Sequence, residues 1–303
     1  MYIQTTQAIV NRRLLSEELI KKAKERVARK RPVAWLFPFS AEREYERALV
    51  QLFEKWFTEV EAIIDQYLPG IMSEVERMNP KNDSFTDNIK SMVSSIKGVQ
   101  FGYYLNAVKM ISADVAKKVD LWNKKQFERV IHSVTGLNVA VTEMWKSGAV
   151  SAFIERNVSL ITKVNDDMAS KIETTVYNAI STGKKIATIK KEIVGTGIDK
   201  GVFGSTKKRA LVIARDQVGK LNGEMVMKRQ NSIGIKSYFW RTSVDERVRG
   251  NPTGRFPHAE PSHYSREGKK FYWDRPPEDG HPGTAVMCRC YAEPNIKEYI
   301  DNL

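Results

Sequence analysis

Apolar residues recur three and four positions apart over most of the first two hundred positions, the spacing that places them on one face of a helix. Leu14, Leu15, Leu19, Ile20, Ala23 and Val27 make the first stripe, which must close ahead of Pro32. Tyr45, Leu49, Leu52, Trp56, Val60, Ile63 and Tyr67 make the clearest one. It is predicted to start at a Ser40 N-cap, with Glu42 and Glu44 in the first turn where the helix dipole favours negative charge, and to stop at Pro69-Gly70. Shorter stripes follow: Ile89, Met92, Val93 and Ile96; then Leu105, Val108, Ile111, Val115, Val119 and Trp122, continued by Phe127, Val130, Ile131 and Val134 as far as Gly136. Met144, Trp145, Val150 and Phe153 read as core contacts. Ile161, Val164, Met168, Ile172, Val176 and Ala179 end at Gly183, which can take the left-handed cap, and Ile186, Ile189 and Ile193 close the series. Nothing up to about residue 200 alternates with a period of two, so residues 1–200 are predicted to form an elongated, all-helical domain.

Beyond residue 200 the pattern changes. One more helix is predicted over 210–229, with Leu211, Ala214, Val218, Leu221 and Met225 on its apolar face. Short runs over 235–242, 271–273 and 286–292 then read as strands. The fold class is therefore α+β: the helical domain 1–200, then a small domain over 201–303 in which a helix packs on a short, mainly antiparallel sheet. In a strand over 286–292, Cys288 and Cys290 stand two apart and point to the same face.

A chain of 303 residues, 42% of them hydrophobic, is long enough for two such domains. No run approaches the eighteen or so apolar residues that span a bilayer, and residues 1–13 lack a charged start followed by an apolar block. The chain is accordingly expected to stay in the cytoplasm where it is made, with no membrane partner. Two cysteines one residue apart exclude a disulfide framework.

Charge adds a second theme. The net charge of +13, from 49 Lys and Arg against 36 Asp and Glu, attracts polyanions, although a solvated basic surface fits the same count. The surplus gathers in an N-terminal arm, residues 1–37, which includes Arg12 and Arg13, and again over 184–209. The second cluster holds Lys184, Lys185, Lys190, Lys191, Lys200, Lys207, Lys208 and Arg209, against Glu192 and Asp199. Gly201 and Gly204 make that cluster a predicted hinge between the domains.

Candidate chemistry concentrates between residues 214 and 290, where three of the four histidines and both cysteines lie. His132 stands apart and reads as a surface or core-edge residue. Cys288 and Cys290 admit three readings: small packed hydrophobes, reactive thiols, or two zinc ligands completed by His281 and by His263 or Asp245. No cofactor is required by the pattern. Asp245, Glu246, His263 and His281 are also the residue types of a metal-dependent nuclease or phosphodiesterase. A salt-bridged turn that locks Arg247 and Arg289 into the domain fits the same residues. Neither a serine elbow, a phosphate-binding P-loop nor a zinc-protease histidine pair occurs.

The order of short motifs carries more than any one of them. Ala214-Arg215-Asp216-Gln217-Val218, then Trp240-Arg241-Thr242, then Asp245-Glu246-Arg247-Val248-Arg249, then the step from His263 to Gly268, then Cys288-Arg289-Cys290, together resemble the C-terminal domain of the phage Mu F-like minor head proteins, the phage head morphogenesis family. The residues carrying this resemblance are Trp240, Asp245, Arg247, His263, Gly268, Cys288, Arg289 and Cys290. The loop over 250–262 is longer than the family pattern, so His258 competes with His263 for the matching position; His263 is preferred because it precedes Glu267-Gly268. Met287 stands where an asparagine is common. The resemblance implies a non-enzymatic virion component, present in few copies and acting in head morphogenesis at the portal vertex. Its implied partners are the portal or major capsid protein and double-stranded DNA, bound without sequence preference. Lys184, Lys185, Lys190, Lys191, Lys207, Lys208, Arg209, Arg247, Arg249 and Arg255 are the expected phosphate contacts.

Overall fold

The computed structural model describes residues 16–77, 84–99, 103–139, 141, 143–196 and 200–302. Arg12, Arg13, Leu14 and Leu15 of the basic arm, and Gly197 and Asp199 of the expected hinge, lie outside the described residues. Among the described residues seven helices come first: α1 (Glu17–Arg29), α2 (Phe39–Arg77), α3 (Ser84–Gly98), α4 (Tyr103–Thr135), α5 (Lys146–Ser181), α6 (Ile186–Val194) and α7 (Gly201–Ser232). Ser16 caps α1, its hydroxyl accepting the Leu19 N–H. Gly136 and Gly183 adopt positive φ directly after α4 and α5, where the left-handed conformation stops a helix.

Helix α2 departs from its predicted bounds at both ends. Ser40 lies inside it rather than at its cap, and Pro69 sits in its interior. A proline there costs a backbone hydrogen bond. The apolar stripe nevertheless continues across it, since Leu68 and Ile71 on either side are both fully buried. Packing on the two flanks outweighs the missing N–H. Of the residues read as core over 144–153, around the start of α5, Phe153 is buried whereas Met144 is exposed.

The expected hinge is also different. Residues 186–194 are α6, and α7 starts at Gly201 rather than near 210, so Gly201 and Gly204 are helical and not a linker. Val202, Phe203 and Thr206 explain the earlier start, because they are buried and Phe203 stacks on Phe57 at 4.4 Å. Burying that turn against α2 outweighs the low helix propensity of the two glycines.

The sheet has three antiparallel strands in the order β2-β1-β3, with β1 (Ser237–Arg241) in the centre, β2 (Lys270–Tyr272) on one side and β3 (Tyr291–Pro294) on the other. Tyr238 pairs with Phe271 and Pro294, and Trp240 with Ala292. Among the described residues no strand precedes β1. A last helix, α8 (Ile296–Asp301), is capped by Asn295, whose side chain accepts the Glu298 N–H. The fold is α+β.

Two compact units emerge, and neither follows a boundary at residue 200. One comprises the described residues within Met1–Glu42, Val115–Phe153 and Asp216–Leu303; the other comprises those within Arg43–Asp114 and Ile154–Arg215. Helices α2, α4, α5 and α7 each contribute one part to each unit. At about 1.5 Å per residue such helices far exceed the length of one small core, so a sequential cut cannot separate them. In the first unit Phe127, Val130, Ile131, Val226, Tyr238, Trp240, Trp273 and Ile296 form the centre of one apolar cluster. Ala23 of α1 belongs to it and Val27 packs on it, while Leu19 on the preceding turn stays exposed; α1 rests on α8. In the second unit Tyr45, Phe53, Trp56 and Ile64 are buried, and the Tyr45 hydroxyl donates to Asn157 Oδ1 at 2.6 Å. No helix among the described residues is long and apolar enough to cross a membrane.

Candidate metal centre

Strand alternation turns Tyr238 and Trp240 of β1 into the core, both with no exposed surface. The segment after β1 folds back so that the Gly268 N–H donates to the Trp240 carbonyl, and Gly268 takes φ +72 to do so. Glu267 holds this return: its Oε2 accepts the Thr242 N–H at 2.6 Å and the Thr242 hydroxyl at 2.9 Å. His263 is thereby placed against the indole of Trp240, edge to face at 5.1 Å, and only 2% of it is exposed. His258, the other candidate for that position, is exposed.

The strand expected over 286–292 forms only from Tyr291 onward. Residues 282–287 are turns and bends, with Met287 at φ +60. Two contacts with α7 impose this path. Asp216 Oδ1 accepts the Met287 N–H at 3.1 Å. Gly219 and Gly223 present a bare backbone to the loop, where a Cβ would stand 3.2 Å from the Cys288 carbonyl oxygen and 2.6 Å from that of Pro282. The two thiols still converge, by loop geometry rather than by strand alternation: Cys288 Sγ and Cys290 Sγ are each 3.5 Å from His263 Nδ1. These three ligand atoms lie within 4.8 Å of one another. On the far side of the ring, His263 Nε2 is 2.7 Å from Asp279 Oδ2, and Arg266 Nη1 donates to Asp279 Oδ1 at 2.6 Å.

Neighbouring groups along this line shift one another's pKa. The neighbouring Cys290 thiol lowers Cys288 well below the ordinary cysteine value, against the upward push of burial, and His263 and the Gly283 N–H add to the lowering. Cys290 moves well up, because Cys288 beside it and burial both disfavour a second thiolate. Burial alone would lower His263, but Cys288 and Asp279 outweigh it and raise the imidazole. Burial likewise acts to raise Asp279, and the bonds from His263 and Arg266 overcome it and lower the carboxyl. At Cys288, His263 and Asp279 the neighbouring groups outweigh burial. Two sulfurs and one imidazole nitrogen around a common point are also the donor set of a soft divalent ion.

Two of the five expected ligands do not join. His281 Nδ1 lies 2.9 Å from the Tyr238 hydroxyl, and its ring meets Trp273 edge to face at 4.8 Å. Positive φ at Gly280 and Gly283 folds the loop so that His281 packs among aromatic rings, where burial lowers its pKa and keeps it neutral. Asp245 is held by Arg247, accepting its N–H at 2.9 Å and its guanidinium at 3.0 Å; these bonds lower its pKa although burial acts to raise it. Glu246 pairs with Arg255. Asp245, Glu246, His263 and His281 are therefore not brought into one hydrolytic cluster; among the described residues only His263 belongs to a group of three potential metal ligands. Arg289 points to another partner, donating to Glu42 at 2.6 Å beneath the rings of Phe37 and Phe39. Sequence reasoning missed Asp279, since an acid in a Glu-Asp-Gly turn carries no spacing that ties it to His263.

Most of the expected phosphate contacts have acidic partners. Lys184 pairs with Glu192, Lys190 with Asp65, Lys207 with Glu54 and Arg209 with Asp167. Arg247 and Arg255 are paired with Asp245 and Glu246. Lys185, Lys191 and Lys208 are exposed and, like Arg249, form no ion pair among the described residues.

Residues 170–293 match the family described as phage Mu protein F like protein, a span that contains α6, α7, β1, β2 and the whole set of His263, Asp279, Cys288 and Cys290. An uncharacterized protein of Haemophilus influenzae is 26% identical over 271 residues, covering 82% of this chain and 55% of the relative. The chain thus spans about half the length of the curated relative it matches. No solved structure matches.

Proposed function

Because residues 170–293 are a phage Mu protein F-like segment, we propose that the protein is a minor head protein of a tailed phage or prophage. In this reading it is carried in the virion in few copies, acts in head morphogenesis at the portal vertex and touches the packaged DNA. The observation that carries the reading is the family match, which runs through α6 to β2 and into β3 rather than over an isolated motif. The net charge of +13 supports a polyanionic partner, and Lys185, Lys191 and Lys208 are the side chains best placed to meet phosphates. The long helices supply surfaces for the portal or major capsid protein. Assembly would take place in the host cytoplasm, and no membrane partner is called for.

Mass spectrometry of density-purified heads tests this. The chain is expected at substoichiometric abundance relative to the major capsid protein. Its recovery only in the soluble fraction of the lysate, with none in heads, would remove the assignment.

A further inference from the structure

We propose that His263 Nδ1, Cys288 Sγ and Cys290 Sγ bind one zinc ion, with Asp279 orienting the histidine from behind and a water molecule in the fourth position. Zinc takes sulfur at about 2.3 Å and imidazole nitrogen at about 2.0–2.1 Å, so a tetrahedral site separates sulfur from nitrogen by about 3.5 Å. Both sulfurs stand 3.5 Å from Nδ1. Both sulfur-to-nitrogen edges therefore already have the length of a zinc tetrahedron, and the two sulfurs lie within 4.8 Å of each other.

Its surroundings suit ligands better than packed thiols. A metal-bound histidine almost always donates its other ring N–H to a carboxylate or carbonyl, and Nε2 lies 2.7 Å from Asp279, itself fixed by Arg266. Cys288 Sγ receives the backbone N–H of Cys290 at 3.4 Å. Among the described residues Trp240 Nε1 is buried with no partner in good hydrogen-bond geometry, although its N–H acts on the Cys290 sulfur. A metal thiolate at Cys290 supplies the acceptor that a neutral thiol supplies poorly. Two thiolates with one imidazole select zinc over magnesium, calcium or manganese. Among the described residues no further His, Cys, Asp or Glu joins the group, which leaves the fourth position to water. The site follows from this geometry alone and is independent of the role in heads.

The full chain, purified without chelator, is expected to hold an equimolar amount of zinc. Exchange for cobalt(II) should give a sulfur-to-cobalt charge-transfer band and the visible bands of a tetrahedral ion, both abolished in Cys288→Ser and Cys290→Ser. Asp279→Asn should keep the cobalt spectrum at saturation while weakening zinc about 10- to 100-fold in chelator competition. Should the serine variants fail to fold, thiol titration of the unaltered chain decides: both cysteines should be protected with zinc and react after chelation. A chain with no zinc, or with another metal, overturns the proposal. So does a cobalt form without the sulfur band, or thiols equally reactive with and without metal.

Discussion

Arg229 has no exposed surface, yet it is charged. Its guanidinium is met by Asp120, by Glu143 at 2.7 Å and by Asn123, and it lies 5.5 Å from the ring of Trp145. Asp120 is 2% exposed, and its other partner among the described residues is Lys146. Removing one partner of such a buried set strands the others, so Arg229→Met is expected to lower stability by about 3–5 kcal/mol. Urea denaturation measures it, and a loss below about 1 kcal/mol would mean that the carboxylates are solvated. This network was not legible beforehand. Asp120 and Glu143 are separated from Arg229 by 86 positions or more in the chain, and a lone charge inside a helical stripe reads as a solvated face. The same limit hid Asp279 and the pairing of Arg289 with Glu42, whereas Trp240 and the two cysteines declared themselves by residue type.

Among the elements, α7 shows what periodicity reveals and what it omits. Its apolar positions Ala214, Val218, Leu221 and Met225 were predicted correctly and are all fully buried. Its role as a bed for the cysteine loop rests on Gly219 and Gly223, a spacing present in the sequence and passed over. Glycine inside a helix costs about 1 kcal/mol relative to alanine, so a pair one turn apart signals close backbone approach. Gly223→Ala should destabilise by about 1–3 kcal/mol despite its better helix propensity, because the added Cβ meets the Pro282 carbonyl at 2.6 Å. Gly70→Ala in α2, with nothing within 4 Å, should instead stabilise by about 0.5–1 kcal/mol. Thermal melts of the two variants compare them directly; equal shifts in one direction would refute the close approach. The misplaced strand over 286–290 has the same origin. The sulfurs do come together as expected, but through the loop and not through alternation, and only the contact with α7 dictates a turn there.

At the scale of the whole molecule, the α+β class and the order of helices before strands were readable from the change of period near residue 200. The division into units was not, because it depends on which helix segments pack together and not on where the period changes. Charge was readable as a total and not as a surface, since Glu54, Asp65, Asp167 and Glu192 meet much of the lysine and arginine over 184–209. Non-specific binding to duplex DNA should therefore run through Lys185, Lys191 and Lys208. Replacing all three by alanine is expected to shallow the plot of log affinity against log salt by about 0.9 for each phosphate that is no longer neutralised. An unchanged slope in gel shifts across a salt series would place the DNA-binding surface elsewhere or nowhere. The claim on which the whole account turns is participation in head assembly, and the most direct measurement is the yield of DNA-filled heads after deleting the gene and supplying the full chain in trans. The account predicts that filled heads disappear on deletion and are restored by the chain; an undiminished yield of infectious, DNA-filled particles from the deletion would contradict it.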